Sequence, residues 1–294
     1  MPARTRKLLR VLSVLAAVFA FGLVMFGAFV RLSNAGLSCP DWPTCYGQIT
    51  WPEHAQAVAR ADAAFPDRPF EAHKAWREQV HRFLAGTLGV MVLALALLAS
   101  WRRRGAMLGV ILGSVFAAAG VGLYMSDEHL WSSLLAACAI ALPLMVAVRL
   151  PRPAAWKICV LTLAVIIFQA MLGMWTVTLL LKPIVVTSHL LGGMLTFALL
   201  SYAALRFAGV SAPDDQLADV RRLVIVGVVL LACQIALGGW TSSNYAALAC
   251  GYGLESFPQC LGQWAPPTDF REGFVLWRGI GVNYEGGVLD MAAR

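Results

Sequence analysis

Charge is what this 294-residue chain has least of: only 13% of its residues are Asp, Glu, Lys or Arg, where a soluble domain carries roughly 25%. The shortage is local. Seven stretches, approximately 11–30, 83–101, 105–125, 130–148, 158–181, 184–205 and 223–241, hold no charged residue at all. Each is long enough to cross about 30 Å of hydrocarbon, and lipid leaves an isolated apolar segment no alternative to the helix. The expected fold is an all-α polytopic membrane protein, a helical bundle with seven transmembrane helices embedded in a lipid bilayer. A signal-peptide reading of the first stretch is weak, because no small-residue cleavage site follows it.

The net charge is +7. That would suggest a nucleic-acid partner only if topology were ignored. Arg and Lys cluster at 4–10, 102–104, 149–157 and 206–222, which are alternate ends of the spans and so mark the cytoplasmic side. The reading is therefore no nucleic acid, a cytoplasmic N-terminus, and an outward-facing loop 31–80. The stretch after Thr241 also faces outward.

Cysteine is sparse and divided. Cys138, Cys159 and Cys233 fall within spans and read as small core hydrophobes. Cys39, Cys45, Cys250 and Cys260 fall in the two outer loops, where an oxidising compartment favours disulfides. Metal ligation by these four is the weaker alternative, since their spacings differ and neither loop has a neighbouring His.

Two segments repeat. Gly27–Gln48 and Gly238–Gln263 each begin as a helix end, pass an Asn-containing turn, and contain two Cys before a Gly-Gln; Gly27 aligns with Gly238, Leu37 with Leu248, Cys39 with Cys250 and Cys45 with Cys260. The chain is thus read as two related halves, and such repeats commonly frame a ligand site between helices. The first half, 1–207, contains the loop 31–80 and an inserted hairpin, 105–148. The second, 208–294, is incomplete. A second signature recurs as Gln169-x-x-Leu-Gly173-x-Trp-Thr and Gln234-x-x-Leu-Gly238-x-Trp-Thr. An intramembrane Gln needs a partner, and both helix packing and contact with a cofactor remain open.

Of five His, His54, His73 and His129 read as ordinary surface residues. His81 and His189 lie in the outer parts of two spans that both run inward. Two neutral imidazoles facing each other across a bundle suit the axial positions of a haem iron, with Gly192-Gly193 making room for a macrocycle; a hydrogen bond to a neighbouring helix is the plainer reading of each. Glu78 lies three residues before His81 and shares its helix face. It could take a proton or stabilise a developing cation, or simply favour the first turn of a helix. Arg31 and Arg82, at the outer interface, could pair with haem propionates or snorkel to headgroups.

Together, Arg31-Leu32, Cys39-Pro-Asp-Trp-Pro-Thr-Cys45-Tyr-Gly, Glu78-Gln-Val-His81-Arg82, Gln169–Thr178, His189-Leu-Leu-Gly-Gly193 and Asn283–Asp290 resemble the heme A synthase family. The resemblance covers most of the chain outside 105–148. It implies an eight-helix inner-membrane enzyme of two four-helix halves, with its Cys loops periplasmic. The implied reaction oxidises the C8 methyl of heme O to a formyl group, giving heme A for cytochrome oxidase. His81 and His189 would ligate the substrate haem, Glu78 would be the catalytic carboxylate, and Cys39–Cys45 and Cys250–Cys260 would be disulfides. Heme O synthase is the implied partner, and a homo-oligomer is compatible with the reading.

The sequence departs from that pattern most clearly after His189, where no further His occurs. The ligands of the family's second haem, heme b, are absent, and a chain that binds substrate without its electron-transfer partner is the expectation. A membrane haem carrier without oxidase chemistry is the principal alternative. A small-solute transporter is weaker, because the spans contain no charge.

Overall fold

The computed structural model describes residues 2–149, 155–210, 218–247, 250, 259–260, 262–264 and 268–277. The Asn283–Asp290 motif, Leu248 and most of the segment between Cys250 and Cys260 lie outside them. The described elements are α1 Ala3–Leu32, α2 Ala55–Ala64, α3 Ala72–Ser100, α4 Arg104–Met125, α5 His129–Arg149, α6 Ala155–Thr178, α7 Pro183–Ala208, α8 Ala218–Ser243 and the short α9 Phe270–Gly273. All but α2 and α9 are long and apolar enough to cross a membrane, making seven spans among the described residues. Their outward faces carry large apolar side chains such as Val18, Phe21, Met25, Val90 and Leu230, each more than half exposed. Such a surface would aggregate in water; lipid is its solvent, and this is a multi-pass membrane protein.

The chain divides into two compact units. The first comprises 1–35, 71–171 and 192–214, and the second 36–70, 172–191 and 215–294. In the first, α1 packs on α3, α3 on α4 and α4 on α5. Its core is Leu9, Ala16 and Ala20 of α1, Leu88, Val92 and Leu95 of α3, Val110 of α4, Val160 and Leu163 of α6, and Leu200 and Ala203 of α7. Alanines at these positions let backbones approach, which is how helices associate where no hydrophobic force acts between them. The α4–α5 pair uses glycine in the same way: a Cβ on Gly113 would lie 3.0 Å from the Ala139 carbonyl oxygen and 3.1 Å from Pro143 Cδ. Ser132 Oγ donates to the Gly120 carbonyl at 2.8 Å. At the basic end of the bundle, Arg6 Nε donates to the Phe207 carbonyl at 3.0 Å, a cation meeting the negative end of the α7 dipole.

The second unit is organised by its loop. Asp41 accepts from Thr44 Oγ1, from Tyr46 N at 2.6 Å and from Gly47 N at 2.8 Å. The Tyr46 ring meets Phe65 and Phe70 edge-on at 5.5 and 5.4 Å, while its hydroxyl donates to the Arg68 carbonyl at 3.0 Å. Cys39 and Cys45 are bonded to each other and fully buried. Later in this unit, Trp240 Nε1 donates to the Gly273 carbonyl at 2.9 Å and stacks on Phe274.

Residues 71–82 read from the sequence as a helical lead-in to the second span, and lead-in and span are one helix, α3. Three expectations need correction. Glu78 stands in the second turn of α3, so the first-turn explanation of that carboxylate fails. Of the intramembrane cysteines only Cys159 is buried; Cys138 and Cys233 are exposed, as a thiol in lipid can be without penalty. The space at Gly192 is filled by the Gln169 carboxamide, whose Oε1 lies where a Cβ would be. A polar group costly to expose to lipid is tucked against a bare backbone, and Gln169 serves helix packing.

Candidate functional site

His81 is the tenth residue of α3. Its ring is held by α1. Phe26 lies nearly parallel to it, 6.3 Å between centroids and 12° between planes. Gly27 lies beneath its tip: a Cβ there would stand 2.9 Å from Nε2 and 3.5 Å from Cδ2. One turn away on α3, Glu78 forms an ion pair with Arg82, and Arg82 Nη1 also reaches Gln79 Oε1 at 3.5 Å. Glu78 is 5% exposed. The structure thus brings Glu78, His81 and Arg82 onto adjoining positions of one helix, with the carboxylate held by the guanidinium. Arg77, four residues before His81, lies over the Phe29 ring of α1 at 5.0 Å.

His189 belongs to the other unit, near the start of α7. Its ring lies against α6: a Cβ on Gly173 would stand 3.2 Å from Cε1 and 3.9 Å from both ring nitrogens. Pro183 opens α7, where a missing N–H costs nothing, and the Lys182 carbonyl accepts from Val185 N and Val186 N at 2.9 and 3.0 Å. The Lys182 side chain is buried, 4% exposed, with Nζ 3.6 Å from the centre of the Trp277 ring. On its other side α7 meets α8, where a Cβ on Gly239 would lie 3.0 Å from Leu190 Cδ2 and 3.5 Å from Thr187 Cγ2.

Both cysteine pairs are bonded, Cys39 to Cys45 and Cys250 to Cys260. Each second Cys closes the same two-bond bridge to a Gln, Cys45 with Gln48 and Cys260 with Gln263. The helices before them also end alike. Ala35 N bonds Val30 O while Asn34 N bonds Arg31 O, and Ala246 N bonds Thr241 O while Tyr245 N bonds Ser242 O. In each case the closing residue is left-handed, Asn34 at φ 48° and Tyr245 at φ 54°, which is the Schellman arrangement. Arg31 is half-buried in the last turn of α1. His54, His73 and His129 are exposed, as expected.

Residues 10–137 and 128–283 match the family described as COX15-CtaA, cytochrome oxidase assembly protein. A heme A synthase of Shewanella oneidensis is 36% identical over 279 residues, covering 94% of this chain and 68% of the relative. The chain belongs to this family. A heme A synthase of Rhizorhabdus wittichii is 24% identical over 86% of the chain and 64% of its own length, and one of Allorhizobium ampelinum is 34% identical over 34% of the chain. The chain therefore spans about two thirds of the length of the relatives that it matches along most of its course. No solved structure matches it. The two family matches overlap at residues 128–137, within the α4–α5 hairpin.

A member of this family implies a haem-derived substrate, and the residues present fit one. Each imidazole abuts a bare glycine, whose missing side chain leaves the space that the ring fills. Among the described residues no three His, Cys, Asp or Glu side chains gather to hold a bare metal ion. Sequence reasoning missed Arg77 and Lys182, two cations among apolar and aromatic neighbours. The signal was present for Lys182: it is the one charge between residues 158 and 205.

Proposed function

We propose that the chain is a heme A synthase, binding heme O with His81 and His189 as axial ligands and oxidising its C8 methyl to a formyl group. The single observation that carries this is the His81 site, an imidazole seated on Gly27 with a buried carboxylate, Glu78, three residues before it on the same helix, in a chain of this family. With water as the oxygen donor, methyl-to-formyl oxidation releases four electrons and four protons; the haem iron would relay the electrons to an acceptor outside this chain. The chain supplies orientation and charge: His81 and His189 fix the ring, and Arg31, Arg77 and Lys182 are cations for its acidic propionates. Glu78 accepts a proton from attacking water or stabilises positive charge at the reacting carbon. The Arg82 guanidinium pairs with that carboxylate and aims it.

The basic clusters favour an inner-membrane protein with a cytoplasmic N-terminus and periplasmic Cys loops. The recurring helix ends and Cys–Gln bridges support reading 1–207 and 208–294 as related halves. Heme O synthase is the expected supplier of substrate. One observation favours a second reading, a haem carrier without oxidase chemistry: Glu78 is already committed to Arg82. The variants Glu78→Gln and His81→Ala separate the two in membranes that make heme O. The enzyme reading expects Glu78→Gln to keep haem and lose heme A, and His81→Ala to lose the haem signal. Unchanged heme A from Glu78→Gln, or an unchanged spectrum from His81→Ala, overturns it.

A further inference from the structure

The two histidine seats share a construction beyond the residues that touch them. Gly27 lies seven residues before the left-handed residue Asn34 that closes α1, and Gly173 lies seven before Leu180, which closes α6 at φ 51°. Leu181 N bonds Thr176 O and Leu180 N bonds Val177 O, the same pair of bonds that ends α1. Each glycine is thus set at one register from a fixed helix end, and each receives an imidazole from a neighbouring helix. A third glycine has the same register, Gly238 before Tyr245, yet nothing lies within 4 Å of its Cβ position among the described residues. The register alone therefore does not produce the contact; the histidines do.

We infer that Gly27 and Gly173 are positioning residues for the two imidazoles, setting ring orientation by the absence of a side chain. The inference rests on the reading that His81 and His189 ligate haem. The two seats differ in tightness. Ordinary contact begins at 3.4 Å. A methyl on Gly27 would meet Nε2 at 2.9 Å and one on Gly173 would meet Cε1 at 3.2 Å. The first forces about 0.5 Å of movement and the second about 0.2 Å, well under the size of a packing defect. The obstructed atom at Gly27 is a ring tip with two side-chain torsions behind it, so the ring turns while the helices stay. Phe26, nearly parallel to the ring, closes one direction of escape.

The test is a set of single alanine substitutions in the full chain, at Gly27, Gly173, Gly22 and Gly238, purified and loaded with haem. Gly22 is on α1 and has nothing within 4 Å of its Cβ position. Three readouts are taken: the low-spin electron paramagnetic resonance spectrum, haem affinity, and the thermal midpoint of the haem-free protein. The expected result is a changed spectrum and about a tenfold loss of affinity for Gly27→Ala, as for other losses of support behind a metal-bound His. A smaller change of the same kind follows for Gly173→Ala, and none for Gly22→Ala or Gly238→Ala, with thermal midpoints unchanged throughout. His81→Ala and His189→Ala accompany the set. If they lose the haem signal while Gly27→Ala matches the controls, the positioning role is overturned and the ligand assignment stands. If they keep the signal, the ligand assignment falls. A Gly27→Ala spectrum altered only in step with a lowered thermal midpoint also overturns the inference, because general disruption then explains it.

Discussion

Removing one partner of the Glu78–Arg82 pair tests whether that carboxylate is held where the proposed chemistry needs it. The side chains of Glu78 and Arg82 are 7% and 12% exposed, so neither charge is well solvated. In such a setting the pair adds little over an apolar replacement, but breaking it is costly, about 3–5 kcal/mol, because the remaining charge is stranded. Arg82→Met strands a carboxylate on a short side chain and should cost about 3 kcal/mol, the lower end of that range. Glu78→Gln should cost less, since Arg82 has a long stem that can carry its charge outward and Gln79 already offers it an oxygen. The double variant strands nothing and should return to within about 1 kcal/mol of the parent, a coupling of at least about 2 kcal/mol between the sites. Reversible unfolding in mixed micelles, followed by tryptophan fluorescence, measures all four members of the cycle. Additive single effects, or a cost under about 1 kcal/mol for Arg82→Met, would show that water reaches the pair and would remove the argument that Arg82 holds Glu78 in place.

Asp41→Ala should free two backbone donors, Tyr46 N and Gly47 N, costing about 2 kcal/mol of loop stability. Limited proteolysis between residues 49 and 70 should then speed up, and an unchanged cleavage rate counts against the loop being organised around that carboxylate. Gly113→Leu should weaken the α4–α5 pair by about 1–3 kcal/mol, because the obstructing atoms belong to the Ala139 backbone and the Pro143 ring. Gly122→Leu, with open space at its Cβ position, serves as its control; equal effects in an assay of helix-pair separation would refute the packing account.

The number and placement of the spans were readable because a run without charge has one stable form in lipid. Which face of a span is buried was not readable. Cys138, Cys159 and Cys233 look alike in the sequence, yet only Cys159 is covered, because lipid and protein interior are both apolar and leave no periodic contrast along the helix. The start of α3, by contrast, was legible: residues 72–82 carry His, Lys, Arg and Glu yet read as a helical lead-in, and they run into the span as one helix. The four loop cysteines were legible as disulfide partners, and both pairs are bonded; Glu78 and His81 were legible as neighbours on one helix. The glycine beneath His81 was not, since Gly27 and His81 stand 54 positions apart on helices joined by a long loop. The Gly192 pair misled because spacing shows that room exists and not which neighbour fills it; Gln169 fills it.

The two histidine seats are reached by different connections, and this bears on what sets the helix pairing. Between α6 and α7 the chain reverses within residues 179–182. Gly173 lies seven residues before Leu180 and His189 nine after it, so at 1.5 Å per residue both stand about 10–14 Å from the turn. An antiparallel hairpin brings them side by side by arithmetic alone, and the two consecutive left-handed leucines, at φ 51° and 53°, are the local strain at which the reversal is made. No such turn joins α1 to α3, which are separated by a loop with its own helix, disulfide and aromatic cluster. Their register must come from side-chain packing: Ala16 and Ala20 beside Leu88 and Val92 in one core, and Phe29 beneath Arg77. A tight turn in one case and interhelical packing in the other deliver an imidazole to a bare glycine. Since the connections have nothing in common, the fit of ring to backbone is the better candidate for what selects each pairing, and the loops are free to differ.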